Sequence, residues 1–284
     1  MDKELFLKDG VDIKDKHYLS SESSMISKTV VTFKNPDTGE VIWKGHNKVI
    51  FPGAEFLALS LFDLNDDHIT PSYNTELNLD HTIYSVPRDK NKVYLFCAGT
   101  DGCGRENSQV YDVDYRRWIM PKNLVPFRYQ ALSKDLSPSL RNIYFGKQSS
   151  SPKSTDDWYH PDFYAYYFKK FDSEPVFKRE WSDGTAVDNT VYTTVTNSEI
   201  RAYVTMQMSI TKDDCRDYFI QTTGINDARI NTMSLCSAWK YEVVDGTKTY
   251  DYYQDIRPVT KLNFPNEPLI DLNKGIDITY ELYF

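Results

Sequence analysis

Ile200-Arg-Ala-Tyr-Val-Thr-Met-Gln-Met-Ser-Ile210 is the stretch that decides the fold class. Ile200, Ala202, Val204, Met206, Met208 and Ile210 alternate with Arg201, Tyr203, Thr205, Gln207 and Ser209. Successive side chains of a strand point to opposite faces, so this period of two predicts a strand with one buried face. The C-terminus repeats the pattern: Ile276, Ile278, Tyr280, Leu282 and Phe284 alternate with Asp277, Thr279, Glu281 and Tyr283. Two such strands predict a mainly β protein with an antiparallel, sandwich-like core.

Working outward, Lys28 to Lys34 and Glu40 to Trp43 flank Asn35-Pro-Asp-Thr-Gly39, whose residues suit tight turns, so residues 28–43 are predicted to form a hairpin. Val93 to Cys97 and Tyr164 to Phe171 read as further strands. Val110 to Trp118 also alternates, with Tyr111, Val113 and Tyr115 opposite Asp112, Asp114 and Arg116, and reads as a strand. Pro52-Gly53 opens an apolar run, Phe56 to Phe62, that predicts one short buried helix. Asn65 to Asp80 reads as a long irregular loop. The polar residues 1–27 read as an N-terminal arm, and residues 28–284 as a β-rich structural domain. A Ser, Pro, Lys and Asp-rich stretch near 149–157 marks an exposed loop and a candidate boundary between two subdomains.

Composition agrees with sheet. The chain carries 21 Tyr, 15 Phe and 5 Trp in 284 residues, and aromatic side chains fit a pleated, half-buried surface. Tyr and Trp also suit partly wet contacts, because each has an apolar body and a polar tip. The formal net charge of −8 argues against a surface that neutralises nucleic-acid phosphates. No run approaches the roughly 20 apolar residues of a membrane helix. Met1 to Gly10 mixes acids and bases and does not read as a secretory signal. Cys97, Cys103, Cys215 and Cys236 form no C-x-x-C pair and read as reduced thiols, with synthesis expected in a reducing cytoplasm. Cys103, set in a turn, is the one expected nearest the surface.

The search for chemistry is negative. His17, His46, His68, His81 and His160 are scattered, without metal-ligand spacing. Asp63-Leu-Asn-Asp-Asp67 starts like a calcium loop, but His68 stands where the sharp turn needs Gly and Asn74 where the loop needs Glu. Gly99-Thr-Asp-Gly-Cys-Gly104 follows a strand and reads as a tight turn, since a phosphate loop would add a Lys and a helix behind it. The carboxylate pairs Asp156-Asp157 and Asp213-Asp214 read as lying in polar surroundings, and no nucleophile or metal motif appears, so no catalytic residue, cofactor or metal is expected. Partner contacts are expected from Trp118, Leu124, Val125, Phe127 and Arg128 on a proline-stiffened segment, and from Trp158 and Tyr159 in an aromatic loop.

Three segments carry a resemblance. They are Gly45-His-Asn-Lys-Val-Ile-Phe-Pro-Gly53 with its apolar run, Val110 to Trp118 with Pro121 and Leu124-Val-Pro-Phe-Arg128, and the late series Ala228-Arg-Ile-Asn231, Leu235, Asp255-Ile256, Val259-Thr260, Phe264-Pro265 and Leu269 before the terminal strand. In this order the chain resembles structural proteins of bacteriophage tails and baseplates. There an "I-N-E-x-G-L"-like turn precedes a "T-F-P-P-I"-like turn and a closing strand. Asn226 or Asn231 takes the asparagine place and Leu235 the leucine place, while the following Glu is replaced by Asp227 or Thr232. The resemblance implies a virion component, assembled in the host bacterial cytoplasm, that contacts copies of itself and other virion proteins and needs no cofactor. A carbohydrate-binding β-sandwich that recognises host glycan is the alternative, and a polysaccharide-cleaving enzyme the third reading.

Overall fold

The computed structural model describes residues 28–50, 52, 53, 56, 72–79, 91–104, 109–114, 116–150, 162–181, 185, 200–224, 228–245, 247–268 and 275–283. In chain order the elements are β1 (Lys28–Lys34), β2 (Val41–Gly45), β3 (Lys48–Val49), α1 (Tyr73–Glu76), β4 (Lys92–Gly99), β5 (Leu124–Val125), β6 (Arg128–Ala131), β7 (Tyr144–Ser150), β8 (Phe163–Lys170), β9 (Val176–Trp181), β10 (Ile200–Ile210), α2 (Arg216–Thr222), β11 (Arg229–Asp245), β12 (Lys248–Pro258), β13 (Thr260–Pro268) and β14 (Ile276–Tyr283). The protein is mainly β, as the alternating stretches predict.

A five-stranded antiparallel sheet runs β2-β1-β14-β10-β9. The two deciding stretches are neighbours in it, in register from Tyr203↔Tyr283 to Ile210↔Ile276. Of the predicted apolar set, Met206, Met208, Ile210, Ile276, Ile278 and Tyr280 are buried, while Tyr203 and Thr205 on the other face of β10 are buried as well. The β1–β2 hairpin also forms. Asn35 Oδ1 accepts from the Asp37 amide at 3.0 Å, and Gly39 takes φ +71°, which only a residue without Cβ adopts cheaply.

The second sheet has nine strands, with β3-β13-β11-β4-β8-β6 as its path and β12, β5 and β7 added to β11, β4 and β8. Its spine is one long hairpin. β11 pairs with β12 from Asp245↔Lys248 and continues with β13 to Arg229↔Pro268. Register shifts bend it, one of them at Asp255, which holds φ +51°. Arg257 and Asn91 tie down that carboxylate at 2.7 and 2.9 Å. β4 pairs with β11 only as far as Ala238↔Lys92, so among the described residues Trp239 to Asp245 pair with β12 alone.

Two cores flank this sheet. Phe96 and Ala98 of β4 join Val31, Phe33, Met208 and Ile278 in the layer between the sheets. Leu95 and Cys97 point the other way, into a second core with Tyr73, Phe145, Phe168 and Tyr253. That double burial explains why β4 reads as a continuous apolar run rather than an alternating one. Rings cross between the sheets: Phe33 and Phe264 meet edge-on at 4.9 Å between centroids. The first core takes side chains from Val31 through Tyr280, and β7 pairs with β8 up to Ser150↔Phe163. Most of the candidate boundary near 149–157, residues 151–157, lies outside the described residues.

Helix is scarce and partly elsewhere than expected. Pro52, Gly53 and Phe56 are helical and buried, and the rest of the predicted run lies outside the described residues. Inside the predicted loop, α1 plugs the second core: Tyr73 donates to the Ile119 carbonyl at 2.7 Å, and the Ile256 amide donates to Asn74 Oδ1 at 2.8 Å. α2 has no counterpart in the sequence reading; it buries Phe219 and stops at Gly224, φ +88°. The Val110–Trp118 expectation fails. Asp114 accepts from the Arg116 amide at 3.0 Å and pairs with Arg116 and Arg117, so a local turn replaces the strand. All four cysteines are buried, Cys103 included.

Candidate functional site

The segment expected to anchor a partner lies largely inside the protein. Leu124, Val125 and Phe127 are 3%, 2% and 1% exposed. β5 pairs with β4, β6 pairs with β8, and Phe127 meets Phe96 at 5.2 Å between rings. These three apolar anchors fill the chain's own core, a correction to their reading as surface contacts. Trp118 is half-buried and donates from Nε1 to Glu76 at 3.3 Å. Trp158 and Tyr159 lie outside the described residues. Gly99 to Gly104 is a tight turn whose amides are in use. Gly102 N–H donates to Asn231 Oδ1 at 2.7 Å, Gly104 N–H to the Gln109 carbonyl at 2.8 Å, and Thr100 N–H to the Asn123 carbonyl at 3.0 Å.

Arg128 leads to the most chemically dense part of the molecule. Its Nη2 donates to the Tyr144 hydroxyl at 2.9 Å, and that hydroxyl donates to Asp214 Oδ1 at 2.7 Å. Asp214, 0% exposed, also takes the Lys169 ammonium at 2.8 Å and the Thr211 amide at 2.9 Å on its other oxygen. Lys169 is 3% exposed and donates a further bond to the Ser209 carbonyl at 2.7 Å. The network joins β6, β7 and β8 to the turn after β10. Burial, then the Asp214 charge, push the Tyr144 hydroxyl far above its usual range, so it stays a donor.

Tyr144 is also part of the wall of a cleft of about 260 Å³. β7 supplies Tyr144 to Lys147, β12 supplies Tyr250 to Tyr253, and Asp135 and Arg141 come from the connection before β7. Asp135 accepts from Tyr166, from Lys147 at 3.0 Å and from Arg141 at 3.1 Å. Burial works against its charge, but the Tyr166 and Lys147 hydrogen bonds and the Leu136 amide prevail and hold the carboxyl below its usual range. The Arg141 guanidinium lies 5.7 Å from the Tyr250 ring centre, and Lys147 sits 3.5 Å over Tyr164. On the opposite wall Asp251 meets Lys240 at 3.0 Å and Lys170 at 3.6 Å. Two carboxylates thus line one cleft, each engaged by two cations.

Beyond the cleft, the outer part of the β11–β12 hairpin carries a row of stacked rings. Trp239 lies 5.3 Å from Tyr241, and Tyr241 lies 5.7 Å from Tyr252. Val244, near its tip, is 71% exposed. Sequence reasoning missed both this row and the cleft. The Trp239–Tyr241 spacing of two was the available signal for the row; nothing in the sequence brings Asp135 to Tyr250. No group of acidic, His or Cys side chains suited to a metal occurs among the described residues. No family model, curated protein or solved structure matches the chain.

Proposed function

We propose that this chain is a structural subunit of a bacteriophage particle, in a tail, baseplate or neck ring, and that it acts by protein–protein assembly rather than catalysis. The observation that carries the reading is the outer end of the β11–β12 hairpin. It extends past the last β4 pairing, stacks Trp239, Tyr241 and Tyr252 on one face and presents Val244 at 71% exposure. Half-exposed aromatic rings on a stiff two-stranded support are what a protein contact uses, because rigid rings lose little entropy on docking. The doubly paired carboxylates of the cleft support a non-enzymatic reading as well.

The test is incorporation. Residues 244–249 are replaced by a two-residue turn, and separately Val244 is changed to Asp and Trp239 to Ser. Each variant should remain a folded protein by circular dichroism and fail to enter the native particle, with the wild-type subunit located there by electron microscopy. Folded variants that enter at wild-type levels would remove the hairpin from the assembly. A wild-type protein absent from purified particles would sink the reading altogether. Carbohydrate binding is the second reading, and the tyrosine-lined cleft favours it.

A further inference from the structure

We propose that the cleft between β7 and β12 is a binding site for a single acidic sugar residue, its carboxylate on Arg141 and Lys147 and its ring against Tyr250 and Tyr252. This site rests on the carbohydrate reading and not on the assembly reading; it shares Tyr252 with the hairpin row, while its cations, Arg141 and Lys147, lie outside that hairpin.

Charge sets the first requirement. On the Asp135 wall two cations share one carboxylate, which leaves an excess of one positive charge on a chain of formal net charge −8. Hydrogen-bonding capacity remains there. Arg141 uses Nε on the Leu136 carbonyl and Nη2 on Asp135, which leaves Nη1 without a protein acceptor among the described residues. Lys147 likewise gives one of its three N–H bonds, to Asp135. A ligand carboxylate can accept from both, in charge-assisted bonds stronger than neutral ones.

Shape and polarity set the second. The opposite wall is rich in rings and acceptors: Tyr250 and Tyr252 flank Asp251, and the charges of Glu174 and Glu242 are felt by Tyr253 and Lys240 beside it. Such a wall suits hydroxyls that donate and C–H faces that pack on rings, and it repels a second negative group. The volume, about 260 Å³, lies just below the roughly 300 Å³ at which small-molecule pockets begin. One ring with its acid fits that space. Beneath the cleft, the Asp214 network holds Tyr144, so the floor is fixed before any ligand arrives.

The experiment uses the full chain with three probes, galacturonate, galactose and inorganic phosphate, followed by ligand-observed and amide NMR. Galacturonate should bind and shift amides of residues 144–147 and 250–253. Arg141→Gln and Lys147→Gln should each weaken it about tenfold or more, the loss of one charge-assisted hydrogen bond, with the melting temperature near wild type. Lys178→Gln on β9 is the control and should change nothing. Equal binding of galactose would overturn the acidic-ligand assignment. Binding of phosphate alone would overturn the sugar, and silence from galacturonate at tens of millimolar would overturn the site.

Discussion

Asp214 is fully buried, with Tyr144, Lys169 and the Thr211 amide on its two oxygens and Arg128 at 3.6 Å. A buried ion pair gains from Coulomb attraction and loses to desolvation, so its net worth is small while the cost of breaking it is large. Removing one partner leaves the other charged in a dry core. Lys169→Met should therefore cost about 3–5 kcal/mol of unfolding free energy. The double change Lys169→Met with Asp214→Leu should cost clearly less than the single one. Urea unfolding of the wild type, Lys169→Met, Asp214→Leu and the double variant decides this. If the double change is as costly as the sum of the singles, the pair is not coupled as described. Arg128, expected to fork onto a partner's carboxylate or carbonyl, lies 3.6 Å from Asp214 and donates to the Asp213 carbonyl at 3.5 Å within its own chain. Proline content alone does not reveal whether an extended segment docks on a partner or on its own sheet.

At the scale of elements, the β11–β13 hairpin holds the turn after β4 through a chain of asparagines. Asn231 accepts from the Gly102 amide at 2.7 Å and donates to Asn266 at 2.8 Å, and Asn266 donates to the Gly104 carbonyl at 3.2 Å. Gly102 is required by this approach, since a Cβ there would lie 2.0 Å from the Asn231 carbonyl oxygen. Asn231→Ala should lose about 1–3 kcal/mol, because a buried amide N–H is left without an acceptor. Gly102→Ala should cost a comparable amount through the clash. Thermal melts with hydrogen exchange of residues 99–104 check both, and a wild-type melting point for either would show the clamp to be incidental. Legibility follows sequence pattern: β10 and β14 alternate apolar and polar residues and read at once, although Tyr203 and Thr205 on the polar side of β10 are buried. β11 does not, because Thr232 to Ala238 are buried throughout. Ser234 and Thr232 interrupt its apolar pattern, and Ser234 is tolerated there because its hydroxyl donates to the Thr260 carbonyl. The cleft was illegible for a different reason, since its two walls are more than a hundred residues apart in sequence.

Across the whole molecule, the aromatic excess that first suggested sheet becomes a titration property. Burial raises the hydroxyls of many core tyrosines. Tyr129 is pushed up to about 12, by burial and then by Tyr218, and Tyr283 to about 12, by burial and then by Glu281. Tyr167, Tyr253 and Tyr280 are raised further, burial again being the largest cause. The unfolded chain ionises near the ordinary value of about 10. A folded value above the unfolded one means that the fold favours the neutral phenol. The contribution is fully present below pH 10 and is lost as pH rises through 10 towards 12 and beyond. With several such groups distributed over both cores, the protein should unfold cooperatively in alkali, starting above about pH 10. Phenolate absorbance followed against circular dichroism tests this. The buried tyrosines should appear together with loss of structure, and refolding on return to neutral pH should hide them again. Ionisation of all 21 tyrosines near pH 10 with an unchanged far-ultraviolet signal would mean that the two cores are open to water, and the packing of the nine-stranded sheet between them would have to be abandoned.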